Sequence, residues 1–218
     1  MRELVRQIAV LTAIAVCAAL ALAGVNMLTK DRIEEQKRLK LLKALEAVLP
    51  PHDNAPDRDY VDVEYGGIRL RFYIARKDGK SIACAVKTWS DAGYGGRIEV
   101  LTGILRNGDV YNIKVLYHRE TPGLGSKVAA PEFLNRLVFK ERGERRNLEN
   151  TDWRVKKDGG DIDQITGATI SPRAVVEAVK TALEVFSEVE LFEDEALSAS
   201  PEAAAPYGEQ RAGDEPVE

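Results

Sequence analysis

The chain has 218 residues and a formal net charge of −4, a length that allows one medium-sized domain with accessory segments. Two cysteines and two histidines are too few for a disulfide framework, an iron–sulfur cluster or a structural zinc site built by this chain. The sequence has no basic stripe with interleaved aromatic residues, so nucleic-acid binding has no support.

The N-terminal region carries the longest apolar stretch of the chain. Residues 1–6 form a short N-terminal segment, and residues 7–29 contain the apolar run IAVLTAIAVCAALALAGVNML. The 21 residues of this run, at a helical rise of about 1.5 Å each, would span roughly 30 Å, the thickness of the hydrocarbon core of a bilayer. We predict a transmembrane helix here. The flanking charges do not fix its orientation, because long following domains translocate regardless of such charges.

Two other interpretations of this segment are weaker. A cleaved signal peptide usually has a shorter apolar region, of about 7–15 residues, although ALALAG offers small residues to a peptidase. A lipoprotein would be cleaved just before Cys17, but Val16 stands where a small residue is needed. The membrane anchor is therefore the preferred interpretation.

Residues 30–59 are predicted to be a juxtamembrane helix followed by a linker. Apolar residues recur at helical spacing through DRIEEQKRLKLLKALEAVLP, and Pro50–Pro51 end the pattern. The helix is rich in Lys and Arg, so one face could contact lipid headgroups, although a solvated face is the commoner arrangement. This segment would join the anchor to the following domain.

Residues 60–190 are predicted to form one α+β domain built on an antiparallel sheet with flanking helices. IRLRFYIARKDGKSIACAVKTW indicates two strands joined at a KDGK turn, with Cys84 in a core position. RIEVLTGILR and DVYNIKVLYH indicate the next hairpin, with Asn107–Gly108 at its turn. APEFLNRLVFK is typical of a short helix. SPRAVVEAVKTALEVFSEVELF predicts a longer helix with Ser171 as N-cap and Pro172 as first helical residue.

Residues 191–218 differ in composition from the rest of the chain. They carry eight acidic residues and one arginine, with repeated Ala, Pro, Gly and Ser. A segment of this kind buries too little apolar surface to offset its ordering entropy. We therefore predict a disordered acidic tail.

Two loops carry the residues suited to chemistry. TGAT, residues 166–169, lies just before the last predicted helix, whose N-terminal N–H groups and partial positive charge favour a phosphate. HRETPGLGSK, residues 118–127, is glycine-rich but lacks the GxxxxGK[ST] spacing of a triphosphate loop, and a flat ring stacked against it is more natural. GYGG, residues 93–96, is by itself only a turn. Each loop taken alone is also compatible with a plain turn.

Two long stretches of the sequence resemble a known family. GYGGRIEVLTGILRNGDVYNIKVLYHRETPGLGSKV and DQITGATISPRAVVEAV are similar to the FMN-binding domain of the G subunit of the Rnf electron-transport complex. They are also similar to the C subunit of the sodium-pumping NADH:quinone reductase. The resemblance covers the anchor and roughly residues 60–186. The chain departs from it at Arg97, where the family often has Pro, and at Ser171–Pro172, where it often has Thr-Ser. Proline suits the first helical position, so the helix start should survive.

The resemblance implies a covalent flavin. In that family the last threonine of the TGAT turn carries FMN through a phosphoester bond, which a flavin transferase makes with FAD as donor. In this chain the attachment residue would be Thr169, a tether and not a catalytic nucleophile, and no catalytic residue is implied. The other cofactor-binding residues implied by the resemblance are Thr166, Gly167, Ala168, Glu120, Thr121, Gly123, Leu124 and Gly125.

The resemblance also implies a cellular role. The chain would be an electron-relay subunit of a membrane complex that moves electrons between reduced ferredoxin and NAD, coupled to Na⁺ or H⁺ transport. It would cross the inner membrane once, with residues 1–6 in the cytoplasm and the C-terminal domain on the periplasmic side.

Its partners would be the other Rnf subunits, the flavin transferase and membrane lipid. The span has no Asp, Glu, Lys, Arg or His, so ion translocation would belong mainly to partner subunits. A scaffold subunit without flavin and a flavin-based redox sensor are the alternatives.

Overall fold

The chain begins with one long helix. In the computed structural model, which describes residues 2–189, 191 and 192, this helix, α1, runs over Arg2–Val48. The predicted span and the predicted helix after it are therefore continuous, and the helix ends just before Pro50 and Pro51. Among the described residues, α1 is the one helix long and apolar enough to cross a membrane, and its apolar stretch packs against no other part of the protein.

Five strands follow and form one antiparallel meander, which confirms the predicted sheet. Each strand pairs with the next along the chain. The β2–β3 turn consists of Asp78 and Gly79, whose φ angles of 51° and 73° are those of a tight hairpin turn. Asn107 and Gly108 lie in the β4–β5 turn, as predicted. The strands are β1 (Tyr60–Tyr65), β2 (Ile68–Lys77), β3 (Lys80–Gly93), β4 (Gly96–Leu105) and β5 (Val110–Tyr117).

One face of the sheet is covered by two helices, α2 (Pro131–Val138) and α3 (Ile170–Glu188). Apolar residues of alternate strand positions face these helices and form the larger core. Cys84 lies in this core, as predicted, and burial raises the pKa of its thiol. The thiol is therefore held in its neutral, unreactive form.

The opposite face of the sheet is covered by the last turns of α1. The residues buried there are Ala44, Leu45 and Val48 of α1 and Leu49, which follows it directly. They pack on a patch of the sheet made mostly of small residues, namely Tyr73, Ala75, Ala83, Ala85 and Leu101. Alanine side chains leave room for the helix to come close to the strands. The anchor helix is thus part of the packed domain.

The start of α3 differs from the prediction. The helix begins at Ile170 with Thr169 as its N-cap, so Ser171 is the second helical residue and not the cap. The reason is that the Ser171 hydroxyl is already used, because it donates a hydrogen bond to the buried carboxylate of Glu120.

After α3, Leu191 is buried and Phe192 packs against Phe186. Leu191 and Phe192 belong to the segment predicted as a disordered tail, 191–218, and the rest of that segment, from residue 193 onward, lies outside the described residues.

Candidate functional site

The TGAT turn is a tight reversal that leads directly into α3. The amide of Ala168 donates to the carbonyl of Ile165 over 3.1 Å. Gly167, the third residue of this turn, has a φ of 82°. A side chain at that position would be strained, which explains the glycine. Thr166 and Gly167 are exposed, and Ala168 is half-buried.

Thr169 occupies the N-cap of α3 without using its side chain there. Its carbonyl accepts the amide of Arg173 over 3.4 Å, but its hydroxyl makes no capping hydrogen bond. N-cap threonines usually stabilise a helix through their side-chain oxygen. The half-buried Thr169 hydroxyl is therefore left available for another use.

The loop with sequence HRETPGLGSK lies against this turn. The carbonyl of Thr121 accepts two amides, from Leu124 and Ser126, each over 3.2 Å, so the loop closes on itself. Thr121, Gly123 and Leu124 are exposed. A β-carbon added to Gly167 would lie 3.8 Å from the Cδ2 atom of Leu124, so Leu124 sits beside the TGAT turn. The Leu124 side chain is 49% exposed and presents an apolar surface to solvent there.

Glu120 differs from its neighbours in this loop because it points inward. It is only 5% exposed. One carboxylate oxygen accepts the amide of Gly95 over 3.0 Å, and the other accepts the hydroxyl of Ser171. Gly125 is likewise buried rather than exposed. Glu120 and Gly125 therefore belong to the floor of the site, below its surface.

The GYGG stretch, which joins the end of β3 to the start of β4, also belongs to the candidate site. The sequence by itself indicated only a turn there. A β-carbon at Gly93 would lie 2.7 Å from a carboxylate oxygen of Glu120, and one at Gly95 would lie 2.1 Å from the carbonyl oxygen of Arg119. Gly95 is required because the two loops touch there through their backbones, and Gly93 is required because the Glu120 carboxylate lies against it. The available signal was the crowding of three glycines around Tyr94, whose side chain is exposed.

Three cations lie near the site, one paired with a carboxylate and two lining a neighbouring groove. Arg173, in the first turn of α3, is held by Asp158 through bonds of 2.6 and 2.5 Å. This hydrogen-bonded pairing raises the pKa of Arg173 and lowers the pKa of Asp158. An open groove of about 430 Å³ lies beside Thr166 and carries two further cations, Lys127 and Arg136. The remaining residues that line the groove are Ala130, Glu132, Phe133, Gln164 and Ile165.

This arrangement fits a ligand that combines a phosphate with a flat apolar ring. The free hydroxyl of Thr169 stands at the N-terminus of a helix of 19 residues, where backbone N–H groups favour an anion. The exposed Leu124, which lies beside the TGAT turn, and the exposed Ile170, which follows Thr169, offer apolar surface nearby. Within the described residues, no group of His, Cys, Asp and Glu is arranged to hold a metal ion. The residues present therefore suit an organic phosphate.

Two family models match the chain. The one described as the FMN-binding domain matches residues 93–184, a range that begins in the GYGG stretch and ends within α3. The one described as the RnfG N-terminal region matches residues 5–48, which is nearly all of α1. The loops assembled around Thr169 thus all lie within the first match.

Three similar curated proteins are each named as the G subunit of an ion-translocating oxidoreductase complex. The protein from Vibrio cholerae is 37% identical over 192 residues, covering 84% of this chain and 91% of the relative. The protein from Shewanella baltica is 37% identical, covering 79% of this chain and 84% of the relative. The protein from Vibrio parahaemolyticus is 38% identical, covering 85% and 90% respectively.

A solved structure also matches part of the chain. It is the crystal structure of the C subunit of Na⁺-translocating NADH-quinone reductase from Parabacteroides distasonis. The match has 22% identity and a TM-score of 0.41, and it covers 55% of this chain and 62% of the other.

Proposed function

The chain belongs to the family of the G subunits of ion-translocating oxidoreductase complexes, and we propose that it relays electrons in such a complex through FMN bound covalently to Thr169. The observation that carries this proposal is the N-cap threonine of α3, whose hydroxyl caps nothing. It lies in the TGAT turn of an FMN-binding domain and beside the loop that contains Leu124. A flavin supplies one- and two-electron chemistry when it is bound, while the protein determines its position and electrostatic surroundings.

The attachment is a phosphoryl transfer to the Thr169 hydroxyl. With FAD as donor, the oxygen of Thr169 forms a bond to the phosphorus of the FMN half, the bond from that phosphorus to the AMP half breaks, and the hydroxyl proton is released. None of the contacts of the described residues joins the half-buried hydroxyl to a general base, so we assign this chemistry to a separate flavin transferase. Thr169 is the acceptor and then the tether.

The N-terminus of α3 would stabilise the product. A phosphoester retains a negative charge, and a charge at a helix N-terminus is stabilised by about 0.3–1 kcal/mol, or up to about 2 kcal/mol when partly buried. Arg173 is already paired with Asp158. The backbone N–H groups of α3 are therefore the main electrostatic partners that we assign to the phosphate, with Lys127 and Arg136 in the neighbouring groove. The exposed Leu124 and Ile170 would face the ring.

The membrane placement follows from the same assignment. We propose that α1 crosses the inner membrane once and that residues 30–218 lie outside the cytoplasm. A covalent bond suits that compartment, because a dissociable flavin would be lost from it. The other subunits of the complex would donate and accept the electrons and would carry the ion pathway. Lipid headgroups would contact the basic segment that follows the span.

The test is flavin fluorescence after denaturation, since only a covalently attached flavin stays with a denatured protein. The full chain would be expressed with and without a flavin transferase and separated under denaturing conditions. A fluorescent band and the added mass of one FMN phosphoester are expected only with the transferase. A band without flavin in both preparations would contradict the proposal and favour a scaffold role.

A further inference from the structure

We propose that Glu120 is a positioning residue, which holds the first turn of α3 so that the Thr169 hydroxyl is presented for flavin attachment. This inference rests on the proposed attachment of FMN to Thr169. It assigns to Glu120 a role different from ligand contact, because its carboxylate is buried and turned away from the surface. The ligand-facing part of the loop is then the exposed segment from Thr121 to Leu124.

Glu120 joins three separate segments of the chain. Its two oxygens are divided between Gly95, in the GYGG stretch, and Ser171, in the first turn of α3. Its own amide donates to the Nδ1 atom of His118 over 3.3 Å, which ties the backbone of its loop. A single side chain thus links segments that are distant in sequence.

Two glycines lie close around this link. A β-carbon at Gly125 would lie 2.5 Å from the nearer carboxylate oxygen of Glu120 and 2.5 Å from the hydroxyl oxygen of Ser171. A β-carbon at Gly93 would meet the other carboxylate oxygen at 2.7 Å. The backbones of Gly93 and Gly125 therefore lie close against the two carboxylate oxygens, and one of these oxygens holds Ser171 through its hydrogen bond.

Ser171 lies two residues after Thr169, within the first turn of the same helix. The Thr169 side chain has no capping hydrogen bond of its own, so it does not fix the turn. The bond from Ser171 to Glu120 does so instead. Group transfer to a hydroxyl depends steeply on its placement, and a shift of about 1 Å can change a rate by about 100-fold.

The experiment measures the rate of covalent FMN incorporation into the full chain by a flavin transferase supplied with FAD. Ser171→Ala and Glu120→Ala should each slow incorporation by about 10-fold to 100-fold. Glu120→Gln should restore most of the rate, because its amide oxygen can accept from Gly95 while its amide nitrogen donates to Ser171. The double variant Glu120→Ala/Ser171→Ala should be no slower than Glu120→Ala alone, since both changes remove the same bond.

Ser90→Ala is the matched control. The hydroxyl of the buried Ser90 donates to Glu177 over 2.6 Å, so this variant also removes a serine–glutamate bond that ties α3 to another element. It should lower the melting temperature as much as Ser171→Ala does and leave the incorporation rate within about twofold. If Ser171→Ala does not fold, Gly125→Ala is the second probe. It displaces the same pair without removing either side chain and should slow incorporation in the same way.

The outcomes distinguish a failure of the positioning role from a failure of the proposed function. A folded Ser171→Ala or Gly125→Ala protein that gains FMN at the wild-type rate would overturn the positioning role alone. Glu120→Gln as slow as Glu120→Ala would also overturn it, since the negative charge would then matter and not the hydrogen bonds. If Ser90→Ala slowed FMN incorporation as much as Ser171→Ala does, general destabilisation would explain the slowing. The positioning role of Glu120 would then be rejected. Absence of flavin on the wild-type protein would reject the proposed function, and the positioning role with it.

Discussion

Gly103 in β4 lies directly against the carbonyl group of Val48, the last residue of α1. A β-carbon at Gly103 would stand 1.8 Å from that oxygen, so the helix backbone touches the sheet backbone. Next to this contact, the side-chain amide of Asn112 donates to the carbonyl of Ala47 over 2.8 Å. It thereby satisfies one of the carbonyls that a helix C-terminus leaves unpaired. The anchor helix and the sheet form one packed unit, on the face opposite α3.

Gly103→Ala is expected to destabilise the domain. The added methyl group cannot fit without moving α1 away from the sheet, and overpacking of this kind typically lowers the free energy of unfolding by about 1–3 kcal/mol. Thermal unfolding of the detergent-solubilised full chain measures the effect. Gly24→Ala is the control, because Gly24 has no atom near its added β-carbon and lies in α1, where alanine favours the helix. Equal stability of both variants would mean that α1 does not dock at Gly103.

The hairpins could be predicted from the sequence because the residues that determine each hairpin lie close together in the chain. Asp78–Gly79 and Asn107–Gly108 are turn signals that act within a few residues, and the alternation of apolar residues on either side fixes which face is buried. The α3 helix was likewise visible in its spacing of apolar residues. The expectation that Thr169 is the attachment residue came from the family resemblance and not from the spacing, and it stays a prediction.

The interior of the site could not be predicted in this way. The bond between Glu120 and Ser171 joins residues 51 positions apart, and no local pattern marks it. The same bond takes the Ser171 hydroxyl, which is why the predicted N-cap was wrong. The contact of Gly103 with α1 is also non-local, since it depends on how closely two elements approach each other.

Thr169→Ala should abolish covalent FMN and leave the fold intact. Loss of an N-cap threonine can destabilise a helix by about 0.5–2 kcal/mol, but here the hydroxyl makes no capping bond, so we expect less than about 0.5 kcal/mol. Mass spectrometry after co-expression with a flavin transferase measures the flavin, and thermal unfolding measures stability. Thr181→Ala, on the same helix, should keep its flavin. A normal FMN mass on Thr169→Ala would reject the attachment residue.

Thr102→Val should stabilise the protein. The Thr102 hydroxyl is fully buried in the core beneath α3 and has no hydrogen-bond partner among the described residues. Replacing an unpaired buried hydroxyl by a methyl group of the same shape removes its desolvation cost, and we expect a gain of about 1 kcal/mol in the free energy of unfolding. Denaturant unfolding checks the sign.

Thr88→Val is the matched comparison for Thr102→Val and should have the opposite effect. The Thr88 hydroxyl is also buried, but it donates to the carbonyl of Ala178 over 2.8 Å. Losing this bond should lower the free energy of unfolding by about 1 kcal/mol. If Thr102→Val were as destabilising as Thr88→Val, the Thr102 hydroxyl would have a partner, such as a buried water.

Truncation after Phe192 should leave flavin content and melting temperature nearly unchanged, because the acidic composition of the following residues cannot bury a core. Truncation after Val189 should destabilise the domain. It removes Leu191, which is 6% exposed, and Phe192, whose ring lies 5.8 Å from that of Phe186. We expect a loss of about 2 kcal/mol or more from these apolar contacts. A large drop for the truncation after Phe192 would show that the tail docks on the domain.

The charges that flank the membrane span do not decide on which side of the membrane the domain lies. We expect residues 30–218 to be digested when protease is added to intact spheroplasts, because the proposed function places the flavin domain outside the cytoplasm. A charged residue at the centre of a span would cost roughly 2.5–3.5 kcal/mol on insertion, and the run from residue 8 to residue 28 contains none, so a stable single crossing is expected. Carbonate washing should then leave the uncut protein in the membrane. Release by washing would instead indicate a cleaved signal peptide. Protection of the domain in intact spheroplasts, with digestion only after lysis, would place it in the cytoplasm and reject the topology.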